Sequence, residues 1–291
     1  MNDTTKRIVA LVDGSIYSAS VCEHASWLAG RTGAPVELIH VLGRREAPEQ
    51  ADLSGAIRLG ARSALMEELA ELDARRARLA AERGRAILDD ARAIVERAGV
   101  PVTARLLHGD LLEVLPELEA QARVLMIGKR GEAADFARMH LGSNLERIVR
   151  ASHRPVLVTA RAFRPIEKVL IAHDGGASAR IAVEHVANSP AFRGLKAHVV
   201  TVGQPAERAR NWLESAEARL AGAGIEASAS VLQGEPAQVL GRLVEEAQFD
   251  MLVMGAYAHS RLRSLFIGST TTEMIRTCRV SVLLFRESVK E

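Results

Sequence analysis

The sequence predicts an α/β fold: two tandem doubly wound domains, each a five-stranded parallel sheet flanked by helices. Three observations carry this. The chain repeats itself: RIVALVDGS (Arg7 to Ser15) aligns with KVLIAHDGG (Lys168 to Gly176), and VELIHV (Val36 to Val41) with AHVVTV (Ala197 to Val202). LLHGD, VLMIG and RPVLVTAR then align in the same order with VLQGE, MLVMG and VSVLLFR. Ordered matches at consistent offsets mark a duplication. The repeated segments are continuous Val/Ile/Leu runs bounded by turn residues, as in strands buried on both faces. Helical patterns lie between them, and strand–helix alternation gives a parallel sheet with right-handed crossovers.

The elements of the first copy follow in order. A strand over about 7–13 ends at Asp13-Gly14, and a helix follows over about 16–31. A strand over 36–42 leads into a helix-forming insertion at about 43–99, which the second copy lacks. A third strand spans 101–107; Asp110-x-x-Glu113 is most simply the cap of a helix over 110–121. The fourth strand, 123–128, ends at Gly128, and Gly142-Ser143 open a helix over 143–151 before the fifth strand, 155–161. The domains expected are residues 1–161 and 166–291, with Ala162 to Ile166, including Pro165, as the linker.

The insertion has its own pattern. Leu65, Leu72 and Leu79 stand at heptad spacing and Leu69 reinforces the seam, but Arg76 and Arg83 fall where a coiled coil wants apolar residues. A continuous helix from Ala61 to Ala98 would be about 57 Å long. Its C-terminal part, with Ile87, Ile94 and Val95, is expected to pack on the sheet. Its N-terminal part is expected to project and to bury its leucines on another surface, either the second domain or another chain.

Composition narrows the functional classes. The net charge is +2 and aromatic residues make up 3% of the chain, so there is no electrostatic or stacking footprint for nucleic acid. No apolar run approaches the roughly 20 residues of a membrane span, and the N-terminus lacks signal-peptide architecture. Cys22 and Cys278 show no metal-ligand spacing and read as buried, reduced thiols of a cytoplasmic protein.

In doubly wound sheets, ligands bind beyond the carboxyl ends of the strands, where strand order reverses. Asp13, Val41 and Gly128 stand at those ends. Gly128 and Gly131 can take positive φ and let backbone approach a ligand closely. Gly142 leaves room for a phosphate, and Ser143 and Asn144 open a helix whose free N–H groups favour an anion. Lys129, Arg130 and Arg138 add charge. A structural reading stands beside this one: Ser143-x-x-Glu146 is also a capping box, and two glycines after a strand make a turn.

The pattern Gly128-x2-Gly131-x10-Gly142-Ser143 resembles the phosphate-loop signature of the universal stress protein family, with one more residue between the second and third glycines than the family usually has. The whole chain is similar to a tandem member, which implies an adenine nucleotide α-hydrolase-like fold and a site for ATP, with or without Mg²⁺. Carried over to this chain, the resemblance assigns nucleotide binding to Asp13, Val41, Gly128, Gly131, Gly142, Ser143 and Asn144. The second copy offers Asp174, Val202, Gly255, Gly268, Ser269 and Thr270 as a weaker site, because Ala258 replaces the middle glycine; Thr270-x-x-Glu273 reads there as a capping box.

Other residues carry less. His140 and His259 in the two loops read as solvated. His173 and Asp174 are adjacent in a strand and point to opposite faces, which excludes an acid/base pair. The sequence offers no nucleophile–base–orienter set and no metal-ligand cluster, so no catalytic residue is assigned. The expected function is a cytoplasmic ATP-binding stress-response sensor or regulator. The alternatives are a slow ATPase and a dimerisation or interaction module without nucleotide. The expected partners are an adenine nucleotide and, within the chain, the other domain as a pseudo-dimer; a homodimer is compatible with this.

Overall fold

A computed structural model of the chain describes residues 6–43, 59–131, 143–256 and 268–287. The first half comprises β1 (Arg7–Leu11), α1 (Ser18–Thr32), β2 (Val36–Leu42), α2 (Leu59–Arg97), β3 (Val102–His108), α3 (Leu111–Gln121), β4 (Ala122–Gly128), α4 (Ser143–Ala151) and β5 (Val156–Thr159). The second half repeats the series as β6 (Lys168–Ala172), α5 (Ala177–Asn188), β7 (Lys196–Val202), α6 (Ala206–Ala221), β8 (Glu226–Leu232), α7 (Pro236–Glu246), β9 (Met251–Gly255), α8 (Ser269–Thr277) and β10 (Ser281–Phe285). A short 3-10 turn at Pro190–Phe192 follows α5.

The strands form one sheet in the order β3-β2-β1-β4-β5-β10-β9-β6-β7-β8. Within each half every pairing is parallel. The halves meet at β5 and β10, which pair antiparallel with Leu157 opposite Leu283, Val158 opposite Val282 and Val156 opposite Leu284. Leu157 and Leu283 are repeat equivalents, so a pseudo-twofold axis passes between them. A twofold brings equivalent strands together head to tail, and joining them removes two edges that would otherwise expose unpaired N–H and C=O groups.

Both faces of the sheet are covered, which is why its strands are apolar on both sides. Val21, Ala25, Leu88 and Val95 pack on one face with Val183 and Leu213 of the second half. Leu115, Leu118, Leu145 and Ile148 pack on the other with Leu240 and Met274. Each core therefore runs across the seam.

Asp110 caps α3 by accepting from the Leu112 N–H at 2.8 Å, and the reciprocal Glu113 contact completes the expected capping box. Arg147 on α4 donates to both Asp110 carboxylate oxygens at 2.8 Å, fixing the next helix to the same cap.

α2 is continuous over 39 residues. Its C-terminal part docks as expected: Val95 is fully buried, Leu88 and Ala91 nearly so, and Ile87 and Ile94 pack against the same core. Docking starts at Gly84, where an added Cβ would lie 2.7 Å from Leu106 Cδ1 and 3.0 Å from His40 Cδ2. For the N-terminal part, the second domain is not the covering surface. This part projects, but Leu65, Leu69, Leu72 and Leu79 are 37–56% exposed, so this chain does not bury them. The described part of α2 packs on β2, β3 and α1 of its own half, at the other end of the sheet from β7 and β8.

Candidate functional site

The order β3-β2-β1-β4-β5 reverses between β1 and β4, and the crevice above this point is bounded by the loops after both strands. Asp13 leaves β1 here, half-buried. Its Oδ1 accepts from the Ser15 N–H at 3.0 Å and lies 3.3 Å from the Ser18 hydroxyl. Ser18 Oγ in turn lies 3.2 Å from the Asp13 N–H and 3.1 Å from the Gly14 N–H. The turn is thus held by its own serines, which orient the carboxylate at the crevice mouth. Gly14 has φ of 78°, a conformation in which glycine avoids the Cβ penalty.

The β4 loop crosses beside this turn. Ser15 Oγ reaches the Arg130 carbonyl at 3.5 Å, and a Cβ added to Gly131 would stand 2.9 Å from Asp13 Oδ2. Asp13 and Gly131, distant in sequence, therefore share one point in space. Gly128 is the tightest position of the loop, where an added Cβ would fall 2.5 Å from Tyr17 Cβ. Its glycine serves packing against the start of α1. Of the two uses of glycine that the sequence allowed, positive φ is adopted by neither Gly128 nor Gly131. Close approach explains them, not left-handed backbone.

Val41 is half-buried at the end of β2 and packs against the neighbouring core. Asn144 is exposed in the first turn of α4, and Ser143 opens that helix. Gly142, Arg138 and His140 lie outside the described residues. The crevice thus brings Asp13, Gly128 and Gly131 together.

Lys129 does not serve the loop as expected. It is 8% exposed and turns toward the second half, where its Nζ donates to the Cys278 and Val280 carbonyls. Burial lowers its pKa from 10.5 to about 8. In the second half the aligned position is Ala256, so this contact has no symmetric counterpart. Replacing Lys129 with methionine leaves two carbonyls at the seam without their donor; an expected loss of about 1–3 kcal/mol is measurable by denaturant unfolding. A cavity of about 230 Å³ opens between the halves beside Lys129, with Arg130, Arg161, Arg276 and Arg279 among its lining. Among the described residues no carboxylate lines it, though Arg276 and Arg279 are paired with Glu273 and Glu245 outside it.

The second copy has the same plan with different fittings. Asp174 is exposed and accepts from the Gly176 N–H at 2.9 Å, while His173 is buried and stacks against Trp212; both lie just beyond the end of β6 and not, as expected, within the strand. Trp212 stands over Gly175, where a Cβ would lie 3.0 Å from the indole, and its Nε1 donates to Thr201 Oγ1 at 3.1 Å. The Gly255 position is crowded by Ser178 Cβ, 2.9 Å from an added Cβ. Val202 is half-buried at the end of β7. Gly268 is the N-cap of α8, with φ of −60° and no side-chain cap. Ser269 and Thr270 lie inside the first turn, so the expected Thr270–Glu273 capping box does not form. Thr271, which sequence reasoning missed, is buried and donates to the Gly255 carbonyl at 3.2 Å, tying α8 to the end of β9. Tyr257, Ala258 and His259 lie outside the described residues.

Also missed was a pair of equivalent histidines at the seam. His24 on α1 is 2% exposed; its Nδ1 lies 2.7 Å from the Ser20 carbonyl and its Nε2 2.7 Å from Ser281 Oγ in the second half. His185 on α5 packs its ring 4.9 Å from that of Phe285. Their place in the apolar stripe of the first helix of each copy was the available signal. Cys22 and Cys278 are free, buried thiols, and burial pushes the Cys22 pKa up to about 12. Among the described residues no group of three or more His, Cys, Asp or Glu side chains is placed to hold a metal, and no helix is long and apolar enough to cross a membrane.

Two parallel α/β halves fused at equivalent edges, each with a glycine loop leaving the strand across its switch point, define a tandem doubly wound protein of duplicated origin. The universal stress protein family profile matches this chain twice, over residues 4–160 and 165–286, and the chain belongs to that family. It is similar to a universal stress protein of Synechocystis, with 37% identity covering 97% of this chain and 100% of that protein. A universal stress protein of Mycobacterium tuberculosis is 25% identical over 64% of this chain and 65% of its own length. The crystal structure of a universal stress protein from Archaeoglobus fulgidus superposes with a TM-score of 0.69 at 20% identity, covering 97% of this chain and 98% of that one.

Proposed function

We propose that the protein is a cytoplasmic, ATP-binding stress-response sensor or regulator, and that its first half holds the nucleotide. The observation that carries this reading is the meeting of Asp13 and Gly131 at the switch point, where an added Cβ would fall 2.9 Å from the carboxylate. A loop held this close to a half-buried acid leaves a cradle bounded by backbone. Asp13 would accept from the sugar or base, and the loop N–H groups with the start of α4 would hold phosphates. The basic residues Arg130 and Arg161 at the seam cavity beside the loop support a polyanionic ligand. No residue in the crevice is assigned as a general base, so the reading is binding without assigned catalysis. In the second half Asp174 is exposed and Ala258 replaces the middle glycine, which supports an empty or much weaker site.

Calorimetric titration with ATP tests this, together with mass spectrometry of nucleotide retained through native purification. One site per chain is expected, weakened about tenfold by Asp13→Ala through loss of one charged acceptor. Absence of both retained and titratable adenine nucleotide would sink the proposal. Tight binding untouched by Asp13→Ala but lost in Asp174→Ala would move the site to the second half.

A further inference from the structure

The exposed part of α2 poses a separate question. Leu65, Met66, Leu69, Leu72 and Leu79 are all more than a third exposed on one helix that stands clear of the body. An isolated helical segment of this length is marginal in water without packing on an apolar face. The leucines keep the alternating three-and-four spacing of a two-helix seam, with Arg76 the interruption among residues 65–79.

Charge along the segment is divided. Glu67, Glu68, Glu71 and Asp73 occupy its N-terminal part, and Arg75, Arg76 and Arg78 its C-terminal part. Such a helix is complementary to itself when reversed. We propose that this face binds the same face of a second copy of the chain, as an antiparallel pair of α2 helices about a twofold axis. In the register that sets Leu69 against Leu72 of the second copy, Leu65 faces Arg76 across the seam. Glu68 flanks the seam beside Arg75 of the second copy, and symmetry makes that pair twice.

A parallel pairing is opposed by the same residues. It would set Arg76 against its own equivalent and Glu68 against Asp73. The antiparallel register also keeps the bodies apart. The paired span is residues 65–79, and Gly84, the first buried position among the described side chains of α2, lies beyond it. The two bodies therefore stand at opposite ends of the pair.

Sedimentation velocity of the full chain over the micromolar to near-millimolar range tests the proposal. A reversible dimer is expected. Leu69→Glu/Leu72→Glu should be monomeric with unchanged folded-state circular dichroism. Glu68→Arg alone and Arg75→Glu alone should each weaken the dimer about tenfold, because each loses two pairs. The double variant Glu68→Arg/Arg75→Glu exchanges the signs and should restore it; these positions are seven apart on one helix, too far to compensate within a chain. A wild-type chain monomeric throughout overturns the proposal. So does a dimer indifferent to the single reversals, or one that the double variant fails to restore.

Discussion

Replacing Gly131 with valine is expected to leave the fold intact and to remove the proposed ATP binding. At this position even a methyl group would stand 2.9 Å from Asp13 Oδ2. Valine adds two more carbons, so the loop must lift away from the carboxylate that it closes over. The nearest atom is the end of a side chain in a half-open crevice, and the folded core does not depend on it. We expect affinity to fall at least about a hundredfold, a loss near 2.8 kcal/mol, with unchanged denaturant unfolding. Gly128→Ala should do the reverse. Its methyl group would meet Tyr17 Cβ at 2.5 Å, inside the packing of α1 on the sheet, and overpacking of that kind costs about 1–3 kcal/mol of stability. Unchanged ATP affinity in a folded Gly131→Val protein would show that the crevice has been misassigned.

Acid should loosen the seam. His24 is neutral when folded: its Nδ1–H donates to the Ser20 carbonyl, and its Nε2 accepts from the Ser281 hydroxyl, whose oxygen accepts from the Ala160 N–H. Burial lowers its pKa from 6.5 to about 4, and burial lowers the equivalent His185 to about 4 as well, with Arg123 adding to the effect. A depressed folded pKa means that the unfolded chain takes up the proton first. The stabilisation is therefore complete above pH 6.5 and is lost as pH falls toward 4. For His24 the full loss is about 3 kcal/mol. Carboxylates titrate nearby, so the telling quantity is the stability difference between the wild type and His24→Gln. That difference should move against the wild type between pH 6.5 and pH 4. A difference independent of pH would mean that His24 is not held neutral by the seam.

The sequence carried the fold because duplication and burial leave periodic marks. Strands covered on both faces must be apolar throughout, and the runs at Ile8, Val36, Val124 and Val156 say so directly. The Asp110 cap was legible because a capping box is local. What stayed hidden depends on contacts between distant residues. Lys129 reads as a phosphate-loop cation next to two glycines, yet its partners are carbonyls about 150 positions away. Gly128 reads as a turn residue, but the reason for glycine is Tyr17 on another element. Thr270 has the right spacing for a cap, and the helix begins one residue before it. At the candidate site the sequence marks Asp13 and Gly131 separately; their meeting is a property of the crossover that brings β4 beside β1.

The β5–β10 junction has a consequence for how the two halves can change. Because one peptide chain carries both, their association is intramolecular and proceeds at an effective concentration that two free subunits would not reach. A symmetric dimer must place every residue at its interface twice and tolerate it in both roles. Here the Lys129 position needs to be a lysine on one side and can be Ala256 on the other. Fusion therefore releases each half from the constraint of fitting its own copy, and one can specialise in ligand while the other drifts toward support.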